Sequence, residues 1–383
     1  MNWFYILVGY IGLFVYGLVE NARGPVFPEI LTEFGLSDSE GALFFVVSST
    51  AALLNNVVFF RLMERIGTLR TMQAYSALQF VSLIGIGLAA SFRQTLAGSL
   101  CLGICFGGLG IAVNLIVSEG SSPEKRRRAL SGLHSMYGIS SLLAPLLVTL
   151  LYEQGLSWRE VLAAVAVGPA LVLAVSFSRA GRIEPLAAKP DGAPKTAPAR
   201  PWRAAVFFSF VVALYVIAEV GASTRLVLYA RREAGYSMEA ANFLLSAFFM
   251  GLLLGRALLA IFHLPLGSRA ILVLSASTSL VCLSLGLTRD PAWMAASGLT
   301  MSVFYPTALS LVAERLGQGA GFATSMVIIF QSLGLVAMHA ALGALSDGFG
   351  LGKALWMGPV CLALALLLLS LERFFPREKA VSP

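Results

Sequence analysis

Two glutamates lie inside long apolar stretches of the 383-residue chain, Glu20 in FVYGLVENARGP and Glu219 in ALYVIAEVGAST. An ionisable side chain in a membrane-length apolar segment is costly unless it faces a cavity or a partner, which makes it a functional candidate by default. A carboxyl in such a place can load and release a proton when water reaches it from alternating sides, the chemistry of proton coupling. The two segments resemble each other weakly and put the two acids at matching places. Glu20 also has Arg23 one helical turn later, so a structural ion bridge is the competing reading; Glu219 has Arg225 at a poorer phase.

A polar solute needs donors and acceptors set among aromatic walls. The groups of that kind within apolar stretches or at their edges are Asn21, Arg23, Asn114, His134, Tyr215, Tyr305, Gln331 and His339. Each is also compatible with helix packing. His134 is expected on the first turn of the fifth apolar stretch, where it can snorkel or bond to a loop. Asn55 is expected to bond between helices. Cys101, Cys105, Cys282 and Cys361 lie in apolar stretches, without the His or carboxylate neighbours a metal site needs, and read as packing. The glycines of GICFGGLG lack the Lys-Ser or Lys-Thr ending of a phosphate loop and read as a close helix approach. No catalytic triad, zinc motif or nucleotide motif is visible, so neither an enzyme activity nor a cofactor is expected.

The elements that must hold these residues follow from composition. The chain is 57% apolar and 12% charged, about half the charge that coats a soluble domain, with a mean hydropathy of +0.82. Apolar stretches at residues 3–22, 40–60, 70–91, 94–118, 131–152, 159–178, 204–229, 239–262, 270–288, 292–313, 321–345 and 352–372 number twelve. Each can cross about 30 Å of hydrocarbon, and only helices satisfy their own backbone there. The first follows Met1 without a basic n-region or cleavage site and is expected to be a retained helix, not a signal peptide. The expected fold class is an all-α membrane protein of twelve transmembrane helices in two pseudo-symmetric six-helix bundles.

The net charge of +7, from 27 Lys and Arg against 20 Asp and Glu, raises the question of nucleic acid. Position answers it. Arg61, Arg65 and Arg70, Lys125 to Arg128, the run from Arg179 to Arg203, Arg269, Arg315 and the tail Arg373, Arg377 and Lys379 fall on one side. Arg23, Arg93, Arg159, Arg225, Arg231, Arg232, Arg289 and Lys353 fall on the other. The richer side is cytoplasmic, so both termini are expected in the cytoplasm and no nucleic-acid partner is expected. RIEPLAAKPDGAPKTAPAR at residues 182–200 has almost no large apolar side chain and cannot pack a core. The expected organisation is a bundle over 1–178, a cytoplasmic linker over 179–203, and a second bundle with a short tail over 204–383. Ala, Leu and Arg richness with short external loops points to a bacterial inner membrane. A monomer suffices, because two halves already form a cavity.

The segment FRLMERIGTLR resembles the signature between the second and third helices of the major facilitator superfamily. Glu64 takes its acidic position, Arg65 its basic one, Gly67 the turn glycine and Arg70 the last cation, while Phe60 replaces the first glycine. The resemblance implies a cytoplasmic gate in which Glu64 latches onto a helix N-terminus, which favours a carboxylate, with Glu119 and Arg126 of SEGSSPEKRRR extending the charge network. The corresponding GRALLAIFHLPLGSR has no acid at that place, so the second latch looks degenerate; Arg256, if inside the membrane, needs a carboxylate or helix C-terminal carbonyls. GPVFPEILTEFGLS, LSGLHSMYGISSLLAPLL, LYVIAEVGAS and GLTMSVFYPTALSL are similar to the fucose permease, sugar and proton symporter-like, branch. That implies a secondary active transporter taking up a small polar solute with protons by alternating access. Proton-driven efflux, lipid translocation and a non-transporting receptor of the same fold are the alternatives.

Overall fold

The computed structural model describes residues 1–178, 201–262 and 265–371. The expected linker, His263 and the basic tail from residue 372 lie outside the described residues. Among those described, every regular element is helical. The chain divides into two compact units, Met1–Ala188 with Ser237–Ser246, and Lys189–Tyr236 with Ala247–Pro383.

The first unit holds α1 (Trp3–Phe34), α2 (Asp38–Ile66), α3 (Thr68–Gly87), α4 (Phe92–Gly120), α5 (Pro123–Glu153), α6 (Trp158–Val165) and α7 (Val167–Phe177). Several of these helices are longer than hydropathy foretold, α1 and α5 most of all. α1 has 32 residues and runs through Pro25 and Pro28 to the left-handed Gly35 cap, about 48 Å at 1.5 Å per residue. α5 begins at Pro123, a residue suited to the first helical position, and takes the basic run into the helix. His134 therefore stands about three turns inside α5, not on its first turn. Hydropathy marks the part of a helix in hydrocarbon and misses the polar turns beyond it.

The second unit is built from α8 (Trp202–Arg232), α9 (Met238–Ile261), α10 (Ser268–Thr288), α11 (Ala292–Met301), α12 (Phe304–Leu316), α13 (Ala320–Phe349), α14 (Leu351–Ala354) and α15 (Met357–Leu371). The first turns of α9, Ser237–Ser246, group with the first unit, where Asn242 Nδ2 donates to Thr149 Oγ1 at 2.9 Å. Three expected spans come as two helical pieces each, α6–α7, α11–α12 and α14–α15. Pro169, Pro306 and Pro359 lie just beyond the breaks and have no N–H for the carbonyl four residues earlier, which interrupts the helix there. With the pieces joined the helical spans number twelve. Ten are long and apolar enough to cross a membrane among the described residues; the other two are α2, with its asparagines and charged end, and α3, with Gln73 and Gln79.

Within the first unit α1 packs on α5 and α4, α2 on α4, and α3 on α4, α6 and α7. The α2–α4 contact is backbone to backbone: a Cβ on Gly103 would lie 2.1 Å from the Ser48 carbonyl oxygen. The glycine run thus serves helix approach. In the second unit α8 packs on α13 and α15, and α10 on α11, α12 and α15. Asn55 does bond between helices, its Oδ1 accepting from Tyr75 Oη at 3.0 Å.

Candidate functional site

In the first unit α1 puts Glu20 and Arg23 one turn apart on a face against α2, α4 and α5. Arg23 is only 8% exposed. Its Nη1 donates to Ser48 Oγ on α2 at 2.9 Å and its Nε to the Glu20 backbone carbonyl at 3.2 Å. The guanidinium carbon lies 4.6 Å from the Phe106 ring centre and 5.4 Å from that of Phe45, an attraction of about 0.5–2 kcal/mol per ring. The cation is thus held without closing an ion pair on the Glu20 carboxylate. That carboxylate instead accepts from Tyr137 Oη of α5 at 2.8 Å. Tyr16, packed edge-on against Phe106 at 5.2 Å and near Tyr137, completes the aromatic surround. Asn21 Nδ2 donates to Gly17 O and to Ser141 Oγ, tying α1 to α5, and Asn114 Nδ2 donates to Gly110 O within α4. Neither Oδ1 accepts a bond among the described residues. His134 is exposed on α5.

In the second unit Tyr215 is fully buried and stacked on Phe304, ring centres 4.2 Å apart at 9°. Its hydroxyl meets the Glu219 carboxyl four residues along α8 and the Met301 carbonyl oxygen, the latter at 2.7 Å. Tyr305 lies close to the Gln331 side chain and within the field of Glu219 and Arg256. Arg256 Nε donates to Ser302 O at 3.3 Å, the carbonyl that Pro306 leaves without its helical donor. A helix-end carbonyl is thus one partner of this cation, of the kind expected for an arginine inside the membrane. His339 is buried on α13.

At the end of the first unit where α2 meets α3, Gly67 at φ +82° makes the turn, a conformation only glycine adopts freely. Glu64, Arg65, Arg70 and Arg126 are exposed, and Glu64 has no side-chain bond among the described residues. The carboxylate in contact at this corner is Glu119, which accepts from Thr68 Oγ1 at 2.7 Å. The second unit repeats the contact, Ser268 Oγ donating to Glu314 Oε1 at 2.7 Å. The acid missing from the second signature loop is supplied by the end of α12, as Glu119 is supplied by the end of α4. Thr68 is buried and Glu314 exposed, so the two contacts differ in worth. Thr68→Val is expected to cost about 1–3 kcal/mol and Ser268→Ala under about 0.5 kcal/mol, read as unequal falls in thermal midpoint in detergent; equal falls would contradict the assignment.

The chain matches the Major Facilitator Superfamily over residues 9–338. It belongs to that superfamily. Major facilitator proteins are membrane transporters, and the twelve spans are those of this fold. No curated protein sequence matches the chain. Among solved structures, a bacterial homolog to the human lysosomal transporter Spinster, in an inward-facing and occupied conformation, aligns with a TM-score of 0.78 at 16% identity over 99% of this chain and 98% of that one. A D-xylose–proton symporter aligns with a TM-score of 0.78 at 14% identity over 99% of both. The peptide transporter POT in complex with sulfate aligns with a TM-score of 0.76 at 16% identity over 97% and 95%. At such identities the likeness is one of fold.

Tyr137, Ser48, Phe106, Thr68 and Glu314 escaped sequence reasoning. Tyr137 stands in LSGLHSMYGISSLLAPLL, three residues after His134, and nothing in its spacing ties it to α1. Glu314 carried a usable signal, since it closes its helical span as Glu119 does and Ser268 follows Gly267 as Thr68 follows Gly67.

Proposed function

We propose that this major facilitator protein takes up a small polar organic solute, sugar-like in class, with protons, by alternating access of residues 1–178 and 204–383. Glu20 and Glu219 are the proton carriers in this reading, with Asn21, Arg23 and Asn114 of the first unit and Tyr305 and Gln331 of the second as the polar side chains that meet the solute. The observation that carries it is the Glu20 carboxylate bonded to the Tyr137 hydroxyl while Arg23 is spent on Ser48 and two rings. A carboxyl sealed in a permanent ion pair could not cycle a proton; one held by a neutral hydroxyl can. The fucose permease-like stretches favour a sugar-like solute, and the fold shared with a D-xylose–proton symporter is consistent with it. The basic run from Lys125 favours a bacterial inner membrane orientation with both termini in the cytoplasm, and a monomer is the working unit.

The test is uptake by the purified chain in vesicles with an imposed pH gradient. Solute class is first found by thermal stabilisation across sugars, amino acids, metals and lysolipids. A sugar that stabilises the protein and accumulates only with the gradient is the expected result. Stabilisation confined to lysolipids, or accumulation indifferent to the gradient, would overturn the reading.

A further inference from the structure

Arg256 lies inside the apolar span Met238–Leu259 of α9, where a cation is kept only for a partner or a function. One end of its guanidinium is fixed. Nε donates to Ser302 O at the break between α11 and α12 at 3.3 Å, and the neighbouring Gly255 brings α9 so close that a Cβ there would collide with the Ser302 side chain. The other end is open. Among the described residues neither Nη1 nor Nη2 donates a hydrogen bond and no carboxylate pairs with Arg256, which is exposed. Arg23 makes the contrast, buried with Nη1 on Ser48 and its guanidinium against two rings. The Glu219 carboxyl, whose field reaches this corner, meets the Tyr215 hydroxyl. Tyr305 lies in the field of Arg256 and close to the Gln331 amide, and both are half-buried.

We propose that Arg256 binds a carboxylate of the solute, which makes the solute a polyhydroxy acid and not a neutral sugar, with Tyr305 and Gln331 meeting its hydroxyls. This rests on the reading of the protein as a carrier of sugar-like solutes and narrows their class. The terminal nitrogens of a guanidinium form a planar fork that matches the two oxygens of a carboxylate. The bond from Nε to the backbone holds that fork in place before the solute arrives, so little side-chain freedom is lost on binding. A phenol and an amide beside it supply the donors and acceptors that hydroxyls need. A cation that served only the field of Glu219 would be indifferent to the charge of the solute.

Binding to the full chain in detergent, with no gradient, tests this. The probes are glucuronate, galacturonate and gluconate, each beside its neutral amide, so that the members of a pair differ at one group. At least one acid is expected to bind about tenfold or more tighter than its amide, because a charge-assisted fork replaces a neutral contact. Arg256→Gln is expected to remove that preference by weakening the acid about tenfold or more while leaving the amide unchanged. Arg256→Lys keeps the charge without the fork and should fall between. Equal binding of acid and amide by the unaltered chain, binding of neither, or a preference retained in Arg256→Gln overturns the proposal. Equal weakening of acid and amide in Arg256→Gln also overturns it, since that is the mark of a merely structural role. Should Arg256→Gln not fold, Arg256→Lys decides, with a shrunken preference for the acid as support and an undiminished one as refutation. Equal binding of acid and amide would leave the sugar-like reading standing, and an acid that binds yet accumulates indifferently to a pH gradient would reject proton coupling alone.

Discussion

Glu20→Gln is expected to abolish proton-driven accumulation while leaving solute exchange across the membrane intact. The amide has the shape of the acid, and its oxygen can still accept from Tyr137, which donates to Glu20 at 2.8 Å. Arg23 keeps Ser48 and its two rings, since none of these contacts uses the Glu20 carboxylate. What the amide cannot do is bind a proton on one side and release it on the other. One proton moving down 100 mV supplies about 2.3 kcal/mol, a roughly fiftyfold solute gradient. The accumulation ratio in vesicles should therefore fall from that order to about one, with counterflow of labelled against unlabelled solute preserved. Undiminished accumulation in Glu20→Gln would remove Glu20 from the energising scheme. Loss of counterflow as well would show that Glu20 is needed for solute binding.

A side chain at Gly103 is expected to prevent the first unit from assembling. A Cβ there would sit 2.1 Å from the Ser48 carbonyl oxygen, 2.6 Å from its Cα and 2.7 Å from its carbonyl carbon. These are backbone atoms of α2 and cannot swing aside as a flexible side chain would. The helices must separate, and Ser48 then leaves Arg23, whose guanidinium is buried. Overpacking of a core usually costs about 1–3 kcal/mol, and loss of a hydrogen bond to a buried charge adds about 1.5–3 kcal/mol. Gly103→Val should therefore yield little monodisperse protein after extraction. Gly321→Ala makes the contrasting case, because its Cβ would meet nothing within 4 Å. That variant should express as well as the unaltered chain, with stability unchanged or raised by up to about 1 kcal/mol. Equal behaviour of the two variants would deny that close approach of α2 and α4 matters.

The resemblance of FRLMERIGTLR to the superfamily signature led to the right family, yet the contact at that corner is made by Glu119 and Thr68 while Glu64 is exposed. A signature marks a turn between two helices. Which carboxylate reaches the turn depends on where a third helix ends. The same limit hid Glu314, and it hid the broken helices, since stretches 159–178, 292–313 and 352–372 are continuous in hydropathy while a proline divides each of their backbones.

Hydropathy is a sum along the chain, so the sequence alone determined that this protein spans a membrane many times as helices, and which few polar side chains those helices carry into it. The choice of partner for each of them was made by tertiary structure. Arg23 is three residues from Glu20 yet turns to Ser48 and Phe106, and Glu20 finds Tyr137 on a helix 117 positions away. Those choices depend on how far each helix is rotated and how closely its small residues let a neighbour approach. Both are properties of packed surfaces, to which spacing along one strand of sequence is blind.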